Sequence, residues 1–267
     1  MDLGLRGRRA LVVGSSSGIG ASIVKMLASE GAEVIIHGRS AESAQSVRKD
    51  IEGAGGKASV VLARLDDTAD IERMANEARA IGDIDILVNC AGAGSSTLRW
   101  FDVPLERWHH QIQFSLMYVV QIIRELAPPM RDRGWGRILN VSSGAGFRPS
   151  AYGPEYAAAK LGLHTLAVSL SAELGDSGVT VNTLTSGLVL TENTMNTMTK
   201  RAAERGFTET GAALEKRVTK EMWPVPLGRA GRLEELAATA CFLVSEPAGY
   251  ITGAALRVDG GSSGFVN

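Results

Sequence analysis

Short β-branched runs alternate with longer segments of helical apolar spacing along this chain. A parallel sheet with helices on both faces satisfies that pattern. Strands are expected at Ala10–Val13, Val34–Ile36, Ala58–Leu62, Ile84–Val88, Arg137–Val141, Val179–Leu184 and Ala255–Val258. Helices are expected at Ile19–Glu30, from a Ser40 cap toward Glu52, and from an Asp67 or Thr68 cap to about Ile81. Others follow at Leu105–Met130 (stopping near Pro128-Pro129), Pro154–Leu174 and Leu233–Val244. No tandem repeat, low-complexity linker or proline-rich hinge interrupts the rhythm. The expected class is α/β, doubly wound, with a seven-stranded parallel sheet in one domain over 1–267. One stretch, Leu190–Trp223, is long for a strand-to-helix connection. Its helical spacing at Leu214, Val218 and Met222 predicts a helical excursion, read as a substrate lid over 190–223 or a plain surface helix pair.

Composition narrows the functional classes. The 28 basic and 29 acidic residues give a net charge of -1, which argues against a basic nucleic-acid footprint. No run reaches the ~20 apolar residues of a membrane span. Two cysteines, Cys90 and Cys241, cannot build a disulfide framework, and His37, His109, His110 and His164 form no metal-type cluster with them. The histidines are read as helix-face or loop residues, and Cys90 as packing. A cytoplasmic protein without a metal follows. Trp100 and Phe101 are read as cleft-edge, interface or core residues.

Directly after the first strand, Gly14-Ser15-Ser16-Ser17-Gly18-Ile19-Gly20 opens a helix. Glycines there permit a tight turn, close backbone approach and close helix packing, while the helix N-terminus offers free N–H groups to a pyrophosphate. Ser16 and Ser17 lie inside the turn. The second strand ends His37-Gly38-Arg39-Ser40, with no carboxylate for a ribose 2′-hydroxyl. Arg39 can pair with a 2′-phosphate, assisted by Ser40 and Ser15, which favours NADP(H) over NAD. The alternative is a solvated arginine at a helix start.

The fifth strand delivers Ser142-Ser143 to the carboxyl end of the sheet, where ligands bind in open α/β folds. Tyr156 and Lys160, four residues apart, share a helix face across three alanines. An ammonium beside a phenol favours the phenolate. A tyrosine so placed can exchange a proton with a substrate oxygen that a serine hydroxyl holds.

Together these motifs resemble the short-chain dehydrogenase/reductase family, in its short single-domain Rossmann form. The resemblance spans essentially the whole chain. It includes Gly14 to Gly20, Asn89-Cys90-Ala91-Gly92, Ser143, Tyr156, Lys160, Val181-Asn182, Pro226 to Arg229, Ile251-Thr252-Gly253 and Val258 to Gly261. The thirteen-residue step to Tyr156 selects Ser143 over Ser142. The resemblance implies Tyr156 as general acid/base and Lys160 on the nicotinamide ribose. It implies that Asn89 steadies the sheet beside the cofactor, and that Ala91 and Gly92 line the adenosine ribose side. Gly187, Val189 and Thr191 would lie along the nicotinamide end. It also implies a homotetramer or homodimer.

Three positions depart from the family pattern. Where an asparagine usually supports a water relay to the lysine, this chain has Ser115. Where an aspartate usually holds the adenine amine, it has Arg64, followed by Leu65 and Asp66, so either Asp66 serves after a shift or Arg64 stacks on the base. The usual Pro-Gly after the sixth strand is Ser186-Gly187. The expected function is NADP(H)-dependent interconversion of a ketone and a secondary alcohol, similar to 3-oxoacyl reductases. Sugar, polyol or other small-alcohol oxidation is the competing substrate reading. A dinucleotide-sensing protein without turnover is the competing class.

Overall fold

The computed structural model describes residues 1–264. Seven parallel strands form one sheet: β1 (Arg9–Val13), β2 (Glu33–Gly38), β3 (Lys57–Leu62), β4 (Ile86–Asn89), β5 (Gly136–Ser143), β6 (Val179–Ser186) and β7 (Ala255–Val258). Their spatial order is β3-β2-β1-β4-β5-β6-β7. The order reverses between β1 and β4, the crevice where open parallel sheets take ligands.

Strand alternation assigns the two cores. Ala10 and Val12 point to one face, packing with Ile23 and Leu27 of α1 (Gly18–Ser29) and with Leu236 and Ala240 of α9 (Leu233–Leu243). Leu11 and Val13 point to the other. There they meet Ile71 and Met74 of α3 (Thr68–Ile81), Ile122 and Leu126 of α5 (Tyr118–Asp132), and Leu163 of α6 (Pro154–Glu173). Each fully buried aliphatic side chain contributes about 1.5–3 kcal/mol. Asp67 caps α3 by accepting from the Ala69 and Asp70 amides at 2.9 and 3.4 Å. Ser40 takes the same role for α2 (Ala41–Gly53).

The long helix expected over 105–130 is instead three pieces. Helix α4 (Leu105–Ile112) passes into a π-type turn, Gln113–Met117, and then into α5. The widened turn contains Ser115, which is fully buried. Nor does the helix stop at its prolines. Pro129 lacks the N–H that would reach the Glu125 carbonyl, but Arg79 Nη1 donates to that oxygen at 2.7 Å. The freed acceptor is satisfied and the helix runs on to Asp132.

The 190–223 stretch is a helix pair, α7 (Glu192–Glu204) and α8 (Gly211–Glu221). It has its own apolar cluster of Met198, Ala202, Leu214 and Val218. Glu215 ties α8 to the body by accepting from Arg232 at 2.8 and 3.1 Å and from the Ala230 amide at 2.9 Å. Among the described residues, no helix is long and apolar enough to cross a membrane, and no group of three or more His, Cys, Asp or Glu side chains could hold a metal ion.

Candidate active site

A cleft of about 430 Å³ opens at the carboxyl ends of β1, β4, β5 and β6. Gly14, Ser16, Ser17, Ile19 and Gly20 line its floor. Gly14 holds φ +82°, and a Cβ there would sit 2.7 Å from the Ala91 backbone. A Cβ on Gly20 would overlap the Gly14 carbonyl. The turn can close this tightly only because both positions are glycine. The space left is a cradle of backbone suited to a pyrophosphate at a helix N-terminus.

His37 buttresses that cradle from β2. The Gly14 amide donates to His37 Nδ1 at 2.9 Å, so Nε2 carries the proton and donates to Ala63 O at 3.2 Å. The expected helix-face or loop role is replaced by a buried strand role. Its side-chain bond to a turn 23 residues away, across α1, could not be read from one isolated histidine. Burial pushes its pKa down to about 4, and that of His164 likewise to about 4. Both folded values lie below the ordinary 6.5. The unfolded chain therefore binds more protons between these values. The stability from the neutral rings is complete above about 6.5 and is lost as pH falls toward 4. A Tm series across that window should fall toward acid, and His37→Gln should flatten part of the fall. A pH-independent Tm would rule this out.

At one end of the cleft stand Arg39, Leu65, Ala91 and Phe114. Arg39 is exposed and makes no ion pair among the described residues. Arg64 and Asp66 are paired with each other at 3.2 Å and do not line the cleft. Neither option for them at the adenine is realised in this arrangement. Ser40 is likewise outside the wall, its hydroxyl facing the Ser43 amide as a helix cap.

Ser143, Tyr156 and Lys160 meet at the other end, beside Gly187, Val189 and Thr191. Ser143 Oγ accepts from the Ala145 amide at 3.3 Å, which leaves its own proton free to donate. Ser142 is the structural neighbour, with Oγ donating to Lys160 O at 2.8 Å. Lys160 is almost fully buried, and Nζ donates to Val141 O at 3.0 Å. The ammonium lies 5.9 Å from the Tyr156 ring centre.

Two further expected residues stand behind the wall. Asn89 Nδ2 donates to Asn140 Oδ1 at 3.0 Å, joining β4 to β5. Ser115 Oγ accepts from Gln111 Nε2 at 2.8 Å. Gly18 sits between the lining residues Ser17 and Ile19, and its Cβ place is 3.7 Å from Thr191 Cγ2. Cys90 lines the cleft, with burial pushing its thiol up to about 11, so it stays protonated near neutral pH. Trp100 and Phe101 are exposed, not core, and the Trp100 ring lies 5.9 Å from that of Phe101 and 5.5 Å from that of Trp108.

Several site residues escape a linear reading. Asn193 and Thr194 line the cleft from the first turn of α7. Glu155, the residue before Tyr156, is completely buried and accepts from Arg107 Nε of α4 at 2.9 Å.

The fold and the chain have counterparts among known proteins. The model of the short chain dehydrogenase family matches residues 8–202. The chain belongs to that family. As a member it is an oxidoreductase of C=O and CH–OH groups. It is 34% identical over 258 residues to D-beta-hydroxybutyrate dehydrogenase of Rhizobium meliloti, covering 95% of this chain and 98% of the relative. It is equally 34% identical to the 3-oxoacyl-(acyl-carrier-protein) reductase of Escherichia coli over 260 residues, covering 97% and 98%. Among solved structures it is similar to the L-sorbose reductase of Gluconobacter frateurii in complex with NADPH and L-sorbose. That likeness has a TM-score of 0.93 and 30% identity, with both chains fully covered.

Proposed function

We propose that this short-chain dehydrogenase is an NADP(H)-dependent enzyme that interconverts a ketone and a secondary alcohol in a 3-oxoacyl-reductase-like reaction. The observation that carries the reading is one cleft with Arg39 at one end and Ser143, Tyr156 and Lys160 together at the other. The Gly14–Gly20 turn would hold the pyrophosphate, Arg39 the 2′-phosphate, Lys160 the nicotinamide ribose, and Val189 and Thr191 the carboxamide. When bound, the nicotinamide supplies or takes up the hydride at the substrate carbon.

The chain's own groups handle the oxygen. Tyr156 gives its hydroxyl proton to the carbonyl oxygen in reduction and takes it back in oxidation. Ser143 donates a hydrogen bond to the same oxygen, its acceptor side already engaged by Ala145. Lys160, anchored on Val141 O, places positive charge beside the phenol. Ser115 joins from behind. The place a Gly92 Cβ would fill lies 3.1 Å from Lys160 Nζ and 3.7 Å from Ser115 Oγ. Both polar atoms thus border Gly92, and a water bonded between them would carry a proton by way of Lys160 back to Tyr156. Helices α7 and α8 act as the substrate lid. Asn193 and Thr194 on that lid favour a hydroxylated small substrate, as in the sorbose reductase, as the second reading.

A cytoplasmic homotetramer or homodimer of one-domain subunits completes the proposal. Free Cys90 and Cys241 support the reducing compartment. Exposed Leu161 and Val168 on α6 support the assembly.

Fluorescence titration with NADPH and NADH, then turnover on ketones, acyl thioesters and keto sugars, tests the reading. Arg39→Ala should weaken NADPH about 10- to 100-fold, the loss of a charge-assisted pair, and NADH about fivefold or less. Equal losses for both would remove Arg39 from the 2′-phosphate. Binding without turnover on any substrate would favour the dinucleotide-sensing role.

A further inference from the structure

The geometry points to an adenine site built on stacking, with the base held between the Arg39 guanidinium and the Phe114 ring and no side-chain carboxylate on its exocyclic amine. This rests on the proposal that the cleft takes NADP(H).

Four observations carry it. Arg39 and Phe114 both line the cleft, and the guanidinium carbon lies over the Phe114 ring, 5.7 Å from its centre. Phe114 is braced within its own helix, because the His110 ring stacks on it at 5.6 Å with planes 6° apart. The next residue back, Gln113, donates from Nε2 to Leu65 O at 3.3 Å, fastening the π-type turn to the loop that follows β3. Lastly, the Asp66 carboxylate, beside Leu65 in the chain, is taken by Arg64 outside the cleft. The resulting wall has an aromatic face, a cationic face and the apolar edge of Leu65.

Such a wall recognises a flat π-system by its faces. Arginine serves two purposes at once, since its N–H edge can meet the 2′-phosphate while its plane covers the attached base. Phe114 is fixed and Arg39 is the mobile member. A base between them needs about 7 Å, twice the ~3.5 Å of stacked carbons, so Arg39 must swing outward by about 1 Å. It is exposed and without an ion pair among the described residues, so the movement costs only its contact with the Phe114 ring, which the base replaces. The π-type turn is what aims Phe114 here. Without the extra residue per turn, Phe114 and buried Ser115 would not keep their present faces.

The test uses NADPH and its deamino analogue, which carries hypoxanthine in place of adenine, in fluorescence titrations of the whole protein. The analogue removes the exocyclic amine but keeps the ring faces. Wild-type protein should bind the two within about threefold, because no amine contact is lost. Phe114→Leu, which keeps bulk but removes the ring, should weaken both by about 5- to 100-fold. Phe114→Tyr, which restores a ring, should stay within about threefold of wild type. An analogue bound more than tenfold more weakly overturns the proposal, as does Phe114→Leu with unchanged affinity. In either case NADPH binding survives, so the cofactor reading stands. A wild-type protein that binds neither dinucleotide overturns both.

Discussion

Tyr156→Phe should lower turnover by about 10²- to 10⁴-fold, the usual contribution of a positioned acid/base. Only the phenolic oxygen is removed. The ring stays beside Lys160, whose anchor on Val141 O does not involve Tyr156. NADPH affinity should therefore change by about twofold or less, and the Tm should hold. A hydride arriving at carbon without a proton for oxygen leaves an alkoxide that only water can neutralise. Single-turnover measurement with pre-bound NADPH isolates that step. A variant with near-normal turnover would remove Tyr156 from the chemistry, whereas lost NADPH binding would show that the hydroxyl holds cofactor instead.

Arg107→Met should destabilise the protein by about 2–3 kcal/mol, read by urea unfolding. Glu155 is completely buried, and Arg107 is its charged partner at 2.9 Å. Removing one member of a buried pair costs about 3–5 kcal/mol, because the other charge is left without a counter-ion. The Arg107 side chain is 38% exposed, so water entering its place offsets part of the cost. The Glu155 carboxyl sits below the ordinary carboxylate range. Burial would raise it, but bonding to Ser96 and Arg107 outweighs that. A depressed carboxyl contributes stability above its unfolded value and loses it as pH falls through the folded one. The Arg107→Met penalty should therefore shrink in acid, where Glu155 is protonated in both proteins. The double variant Arg107→Met/Glu155→Gln should recover part of the loss. A single variant as stable as wild type at neutral pH would mean that the pair is not needed.

The pair also reaches the site. Arg107 Nη2 meets Gly94 O at 3.5 Å, and Gly94 lines the cleft. The residue before Tyr156 is thereby tied through α4 to the opposite wall. Arg107→Met should thus disturb substrate binding as well as stability.

Much of this was legible along the chain because it depends on local periodicity. Strand alternation divides Ala10 and Val12 from Leu11 and Val13 as surely in the sequence as in the two cores. Gly14 and Gly20 are legible because no other residue lacks the Cβ that would strike Ala91 or the Gly14 carbonyl. Tyr156 and Lys160 are legible because four residues make about one helical turn.

The remainder required long-range contact. A helix read through Leu105–Met130 has no local signal for the π-type turn, whose residues bond outward to Leu65 and receive Gln111. The prolines within α5 break no rule once Arg79, 46 residues earlier in the chain, caps the freed carbonyl. His37 gained its role only when β2 came beside β1 and presented Nδ1 to Gly14. Asp66 and Ser40 have the right chemistry for a cofactor, yet their polar groups turn to Arg64 and to a helix end. The sequence by itself determined the layered fold, the glycine cradle and the Tyr156–Lys160 face, since each follows from spacing within one element. Tertiary structure alone decided which polar groups face the cleft, because a side chain's hydrogen bonds are allotted by neighbours that folding brings from elsewhere in the chain.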